Sequence, residues 1–125
     1  MNLTEISTIK ALCSEFGFGF KKKYGQNFLI SNEIPSKIAE NASGCCALEI
    51  GPGFGTLTKA LCETCEKVVS LEIDASLAPV LEATVGEYKN LKVIFSDVMK
   101  TDISELYSEE FEGKRLPFAL ICRII

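Results

Sequence analysis

The stretch Cys45-Cys-Ala-Leu-Glu-Ile-Gly-Pro-Gly-Phe-Gly-Thr-Leu-Thr58 is where the chain changes rhythm. Cys45–Ile50 reads as a short buried strand, Gly51-Pro-Gly-Phe-Gly55 as a tight loop, and Thr56–Cys65 as a helix with Leu57, Ala60 and Leu61 inward. The pattern then repeats. Val68–Ile73 reads as a strand, Ser76–Tyr88 as a helix carrying Leu77, Val80, Leu81 and Val85, and Leu91–Phe95 as a third strand. A weaker helix over Ile103–Phe111 and a fourth apolar, β-rich run over Leu116–Ile125 complete it. Strands alternating with helices specify an α/β fold with a parallel sheet and helices on its faces.

Upstream, Thr4 is placed to cap a helix with Ile6, Ile9, Leu12 and Cys13 on one face, ended by Gly17. Residues 16–29 are glycine-punctuated and aromatic and read as an ordered loop. A second helix starts at Asn32, with Pro35 in its first turn, where a missing N–H costs nothing, and stops at Ser43-Gly44. The reading is one domain over residues 1–125, with N-terminal helices and loop over 1–44 and the first half of a sheet over 45–125.

The composition excludes whole chemistries. With 125 residues, 47% hydrophobic and 24% charged, the chain has enough apolar content for a packed core. It has no histidine, so a Ser-His-Asp relay, a Cys-His nucleophile and an HExxH zinc site are out. Catalysis here rests on positioning a reactive cofactor. No secretory pattern opens the chain and no apolar run approaches the ~20 residues of a membrane span, so a cytoplasmic location is expected. The six cysteines are expected reduced. Cys62-Glu-Thr-Cys65 has redox spacing, but the adjacent Cys45 and Cys46 fit a four-Cys zinc site poorly, and small buried apolar residues is the favoured account. The net charge of −4 divides into +2 over residues 1–30 and −6 over the rest, which leaves Lys21, Lys22 and Lys23 as a local basic cluster.

In an open parallel sheet, ligands bind beyond the carboxyl ends of the strands, near the topological switch point. Gly51, Gly53 and Gly55 follow the first strand and precede a helix, in G-x-G-x-G spacing rather than the dinucleotide G-x-G-x-x-G. Glu72 comes twenty-one residues after Gly51, near the end of the second strand, where a carboxylate accepts from ribose hydroxyls. Asp74 shares its face by alternation, and the sequence alone does not choose between them, although capping of the next helix is the favoured role for Asp74. Asp97 stands just past the third strand, where an acceptor meets an adenine amine. Together these describe a pocket for an adenosine-containing cofactor. The absence of G-x-x-x-x-G-K-[ST] disfavours ATP.

Lys-Lys-Lys-Tyr-Gly-Gln-Asn-Phe-Leu (21–29), Leu-Glu-Ile-Gly-Pro-Gly-Phe-Gly-Thr-Leu-Thr (48–58), Leu-Glu-Ile-Asp (71–74) and Phe-Ser-Asp-Val-Met (95–99) occur in this order. Over residues 10–122 the chain closely resembles the bacterial small-subunit (16S) ribosomal RNA adenine N6,N6-dimethyltransferases of the KsgA/RsmA type. Gly25-Gln26-Asn27-Phe28-Leu29 favours this housekeeping branch over its siblings, the erythromycin-resistance 23S rRNA methylases. The resemblance implies a class I methyltransferase (Rossmann-like) fold with S-adenosylmethionine (SAM) as cofactor. It implies that Gln26, Asn27 and Leu29 line the cofactor's approach and that Gly51 meets its methionine end. Glu72 holds the ribose, Asp97 meets the adenine amine, and Glu49 has a supporting role. It also implies methyl transfer to N6 of two adjacent adenosines near the 3′ end of small-subunit rRNA in the 30S precursor. Lys21, Lys22 and Lys23 are then expected to touch rRNA phosphate, and the full-length family is expected to act as a monomer without membrane contact.

One position departs from the family pattern. Where the family continues Ile-Cys-Asn-Leu-Pro-Tyr, this chain reads Ile121-Cys122-Arg123-Ile124-Ile125. Arginine offers no acceptor to an amine, so Arg123 leaves no catalytic residue to assign. The expectation is a fold truncated after about the fourth strand, lacking the family's helical C-terminal domain and prone to self-association through the last strand. The competing readings are a nicotinamide-dependent oxidoreductase, which glycine spacing argues against, and a non-catalytic module that binds SAM or RNA.

Overall fold

A computed structural model of the chain describes residues 6–17, 33–111 and 118–122. Helix α1 (Ile6–Phe16) ends at Gly17, whose φ of 77° only glycine adopts readily. Helix α2 (Glu33–Asn41) is followed by strand β1 (Cys46–Ile50), helix α3 (Thr56–Thr64) and strand β2 (Lys67–Glu72). A 3-10 turn (Ala75–Leu77), helix α4 (Ala78–Val85), strand β3 (Leu91–Phe95), a second 3-10 turn (Val98–Lys100), helix α5 (Ile103–Phe111) and strand β4 (Phe118–Cys122) complete the described chain. Thr4, Lys21 to Lys23, Gln26, Asn27, Leu29 and Arg123 lie outside the described residues.

All strand pairs are parallel, in the order β3-β2-β1-β4. The chain therefore builds outward from β1 to β3, then crosses the sheet to place β4 on the free side of β1. That reversal puts the switch point between β1 and β4, beside the glycine loop. In the register Leu48 lies between Val69 and Leu120.

Both faces of β1 and β2 are covered, which explains why they read as apolar runs rather than alternating ones. On one face Ala47 and Val68 pack with Ala39 and Ala42 beside α2, Leu57, Leu61 and Cys62 of α3, and Cys65. A neighbouring cluster joins Ile9, Leu12 and Cys13 of α1 to Val80, Leu81 and Val85 of α4, with Phe54 and Leu77. On the opposite face Cys46, Leu48, Val69 and Leu71 meet Leu106 and Phe111 of α5. Leu48 and Leu61 are about 1% exposed or less, so truncating either to Ala costs on the order of 2–5 kcal/mol. Leu120, on the same face as Leu48, is 61% exposed.

Several boundaries shift by a single residue from the sequence reading, and one helix departs by more. The helix expected over Ser76–Tyr88 is split, because Pro79 lacks an N–H and starts a fresh helix, leaving Ala75–Leu77 as a 3-10 turn. That helix stops at Val85, and Tyr88 lies beyond it, donating its hydroxyl to Glu63 at 2.9 Å. Of the expected fourth strand Leu116–Ile125, the described residues Phe118–Cys122 are strand, and the rest lie outside the described residues.

Candidate functional site

The site is assembled at the carboxyl edge of the sheet. The Gly51 N–H donates to the Leu71 carbonyl at 2.9 Å, the last rung between β1 and β2, and the chain then turns away with φ of 80°. A tight turn closes behind it, with the Gly55 N–H donating to the Pro52 carbonyl at 2.9 Å. Gly55 has φ of 94°, and a Cβ there would stand 2.9 Å from Thr84 Oγ1 and 3.1 Å from Val85 Cγ1. Only a residue without a side chain lets α3 begin against α4 at this distance. Helix α3 starts with no side-chain cap, so its positive end faces the loop.

Glu72 ties this loop to β2. It is 6% exposed, and its Oε1 accepts from the Gly53 N–H at 3.1 Å while Oε2 accepts from the Asp74 N–H at 3.0 Å. Each carboxylate oxygen has capacity for a further donor, such as a vicinal diol. Asp74 is turned to another task. Its Oδ1 accepts from the Ser76 N–H at 3.0 Å and from the Ser76 hydroxyl, which caps the 3-10 turn. The two acids that the sequence left open are thus separated by which amides reach them.

Asp97 also caps a turn, its Oδ1 accepting from the Met99 N–H at 2.9 Å. It is half-buried, and because Glu72 pairs in register with Phe95, Asp97 sits on the same edge as Glu72. Glu49 is different. It is 1% exposed, and its Oε1 accepts from Thr58 Oγ1 at 2.6 Å and Ser70 Oγ at 2.7 Å, which fastens β1 to α3 and β2. Its place is under the loop, as a positioning group. Two apolar side chains were missed by the sequence reading: Ile73 is 70% exposed and Met99 is 87% exposed. Ile73 directly follows Glu72 and Met99 stands two residues after Asp97, and an apolar residue so close behind an edge acid was the available signal. A groove of about 310 Å³ between α4 and β3 is lined by Leu81, Val85, Tyr88 and Phe95 among others, and by none of the loop glycines.

Cys13, Cys46, Cys62 and Cys65 belong to the core. Cys62 and Cys65 are each 7% exposed within the α2–α3 cluster. Burial, and next the Glu49 carboxylate, pushes the Cys62 thiol up to about 12, so it is a poor nucleophile. No helix among the described residues is long and apolar enough to cross a membrane.

Residues 17–122 match the family described as ribosomal RNA adenine dimethylase. The chain belongs to that family. It is 44% identical over 111 residues to ribosomal RNA small subunit methyltransferase A of Alkaliphilus metalliredigens, covering 86% of this chain and 39% of that protein. It is 45% identical over 106 residues to the same enzyme of Bacillus mycoides, covering 82% of this chain and 36% of that one. The chain thus spans under two fifths of the length of these curated relatives. Among solved structures it is similar to the 23S rRNA methyltransferase ErmE, with TM-score 0.56 and 28% identity over 74% of this chain and 35% of that one. A dimethyladenosine transferase from Plasmodium falciparum follows, with TM-score 0.51 and 28% identity over 74% of this chain and 42% of that one. Membership of the ribosomal RNA adenine dimethylase family excludes the nicotinamide reading as the family of this chain.

Proposed function

We propose that this chain is the cofactor-binding part of an rRNA adenine N6,N6-dimethyltransferase that takes methyl groups from SAM and serves small-subunit rRNA in the cytoplasm. The observation that carries it is Glu72, a buried acid at the switch-point edge bonded to Gly53 of the loop. The residues present fit the cofactor. Gly51 and Gly53 have positive φ and no side chains to block a close approach, Glu72 retains acceptor capacity for the ribose hydroxyls, and Asp97, on the same edge, brings a carboxylate acceptor for the adenine amine in this reading. Ile73 and Met99 offer exposed apolar surface for the two sides of a base. Gln26, Asn27 and Leu29 complete the approach, and Lys21, Lys22 and Lys23 contact rRNA phosphate.

SAM supplies an electrophilic methyl group when bound, so the protein's work is alignment rather than proton relay. Glu49 holds the loop from below through Thr58 and Ser70, and Glu72 holds it from the side through Gly53. A second reading is a SAM-binding module without transfer, and Arg123 favours it, since a guanidinium accepts nothing from an adenine amine. Calorimetric titration with S-adenosylhomocysteine tests the cofactor: binding that resists Glu72→Ala would overturn the placement of the ribose. A methyl-transfer assay on undermethylated small subunits, run on this chain beside a full-length relative, is expected to show transfer by the relative and none by this chain, and robust transfer by this chain would overturn the second reading. Replacing Lys21, Lys22 and Lys23 together with Ala in a full-length relative is expected to lower the salt slope of rRNA binding by up to about three contacts at ~0.7–0.9 each.

A further inference from the structure

The amino edge of the sheet, opposite the glycine loop, gathers thiols that the proposed methyl transfer does not use. Cys45 directly precedes β1 and Cys65 caps the C-terminal end of α3. Backbone bonds clamp the two segments together: the Gly44 N–H donates to the Thr64 carbonyl at 3.0 Å, and the Glu66 N–H to the Cys45 carbonyl at 3.0 Å. The register Cys46↔Lys67, carried back one residue, sets Cys45 opposite Glu66 and makes Cys65 its diagonal neighbour. In an ideal parallel ladder, with ~4.8 Å between strands and ~3.3 Å rise per residue, diagonal neighbours stand about 6 Å apart at their Cα atoms. That is inside the ~4.4–6.8 Å window a disulfide spans.

Both side chains also turn toward the same short connection. Cys65 Sγ donates to the Ala42 carbonyl at 3.4 Å, and Cys45 Sγ reaches the Ser43 carbonyl at 4.0 Å. Cys45 is half-buried and reachable from solvent, whereas Cys65 is 7% exposed. The other described candidates are worse placed. Cys46 packs with Leu48 on the opposite face, and Cys62 lies beside Glu49 with a thiol held strongly protonated. All the described cysteines are free thiols.

We propose that Cys45 and Cys65 are a modification site, a thiol pair that closes into an intramolecular disulfide when the protein meets a hydroperoxide. The Cys45 thiolate attacks a peroxide oxygen. With hydrogen peroxide a sulfur–oxygen bond forms, the oxygen–oxygen bond breaks, and the displaced hydroxide takes up the proton that the Cys45 thiol released and leaves as water, Cys45 becoming a sulfenic acid. Cys65 sulfur then attacks Cys45 sulfur, the sulfur–oxygen bond breaks, and its hydroxyl departs with the Cys65 proton as a second water. Two thiols lose two electrons in all and the peroxide gains them. Burial and the nearby Cys45 and Cys46 raise the Cys65 thiol, so the second step is the slower one. The closed loop runs from the start of β1 to the end of α3 and contains the whole glycine loop, so oxidation stiffens the frame of the site without touching its edge.

The test is hydrogen peroxide treatment of the reduced 125-residue chain, with and without denaturant, followed by alkylation and peptide mapping. The expected result is a Cys45–Cys65 linked peptide in native buffer, its yield falling at least tenfold in denaturant. Cys65→Ser should abolish the link and leave a dimedone-reactive sulfenic acid on Cys45, and Cys45→Ser should leave Cys65 alkylatable. A predominant Cys62–Cys65 or Cys45–Cys46 link would overturn the proposal. So would equal linking with and without denaturant, over-oxidation of Cys45 without a link, or six thiols still open to alkylation.

Discussion

The two edges of the sheet use their polar groups in opposite ways. At the amino edge, polar groups are matched to other protein groups. Asn90 Nδ2 donates to the carbonyls of Cys62 at 2.9 Å and Cys65 at 3.1 Å, closing the C-terminal end of α3. Thr64 Oγ1 donates to the Ala39 carbonyl at 3.0 Å. Glu110 accepts from Lys92 at 2.6 Å and from Lys67 at 3.3 Å, and Lys67 also donates to the Glu110 carbonyl. At the carboxyl edge, three glycines with positive φ stand beside acids whose bonds to backbone leave acceptor capacity over, and beside the exposed Ile73 and Met99. An edge that satisfies itself contributes stability, and an edge with capacity left over contributes binding.

That contrast predicts different readouts for substitutions on the two sides. The largest effect is expected where loop and packing coincide. Gly55→Val forces a β-branched residue into φ of 94° against Thr84 and Val85. Left-handed backbone and overpacking together are expected to cost roughly 2–4 kcal/mol. Urea unfolding checks this, and a stability loss under ~1 kcal/mol would show that the loop yields more easily than its contacts suggest.

Next comes Glu72→Ala. Loss of charged acceptors worth ~1.5–3 kcal/mol each should weaken S-adenosylhomocysteine at least tenfold by calorimetry, where ~1.4 kcal/mol is one decade. Glu72→Gln, which keeps one acceptor oxygen, should fall between it and the parent. At the opposite edge, Asn90→Ala uncovers two helix-end carbonyls and should lower stability by ~1–2 kcal/mol while leaving cofactor affinity within twofold. A large affinity loss in that variant would dissolve the distinction between the edges.

The smallest effect concerns pH. Lys92 foremost, with Lys67, holds the Glu110 carboxyl below its ordinary value of 4.5. A depressed acid lends its stability above the ordinary value and loses it as pH falls through the lowered one. Stability should therefore decline below about pH 4.5, and Glu110→Gln should flatten that decline. The Lys92 end is half exposed, so the difference between the two proteins should stay under ~1 kcal/mol near neutral pH. A steeper acid loss in Glu110→Gln than in the parent would contradict it.

Much of this was legible in the residues. The alternation of apolar runs and helical faces marks the elements because side-chain period is a local property. The strand Leu91–Phe95 and the helix Ile103–Phe111 occur where the pattern put them. The glycine spacing and the acid near the end of β2 marked the edge of the sheet because tight turns and strand ends need particular residues in particular places. The two ends of α4 moved because Pro79 restarts a helix and Gly86 follows its end, local effects weaker than the apolar period.

What the tertiary structure alone decided is partnership at a distance. Glu72 was separated from Asp74 because Gly53, nineteen residues earlier, brings its N–H to one and not the other. Glu49 became a buried fastening because Ser70, twenty-one residues later, pairs beside it in the sheet. Asn90 caps a helix that ended at Thr64. Each of these depends on the order β3-β2-β1-β4, and strand order arises from how the faces pack, which no local period of side chains encodes.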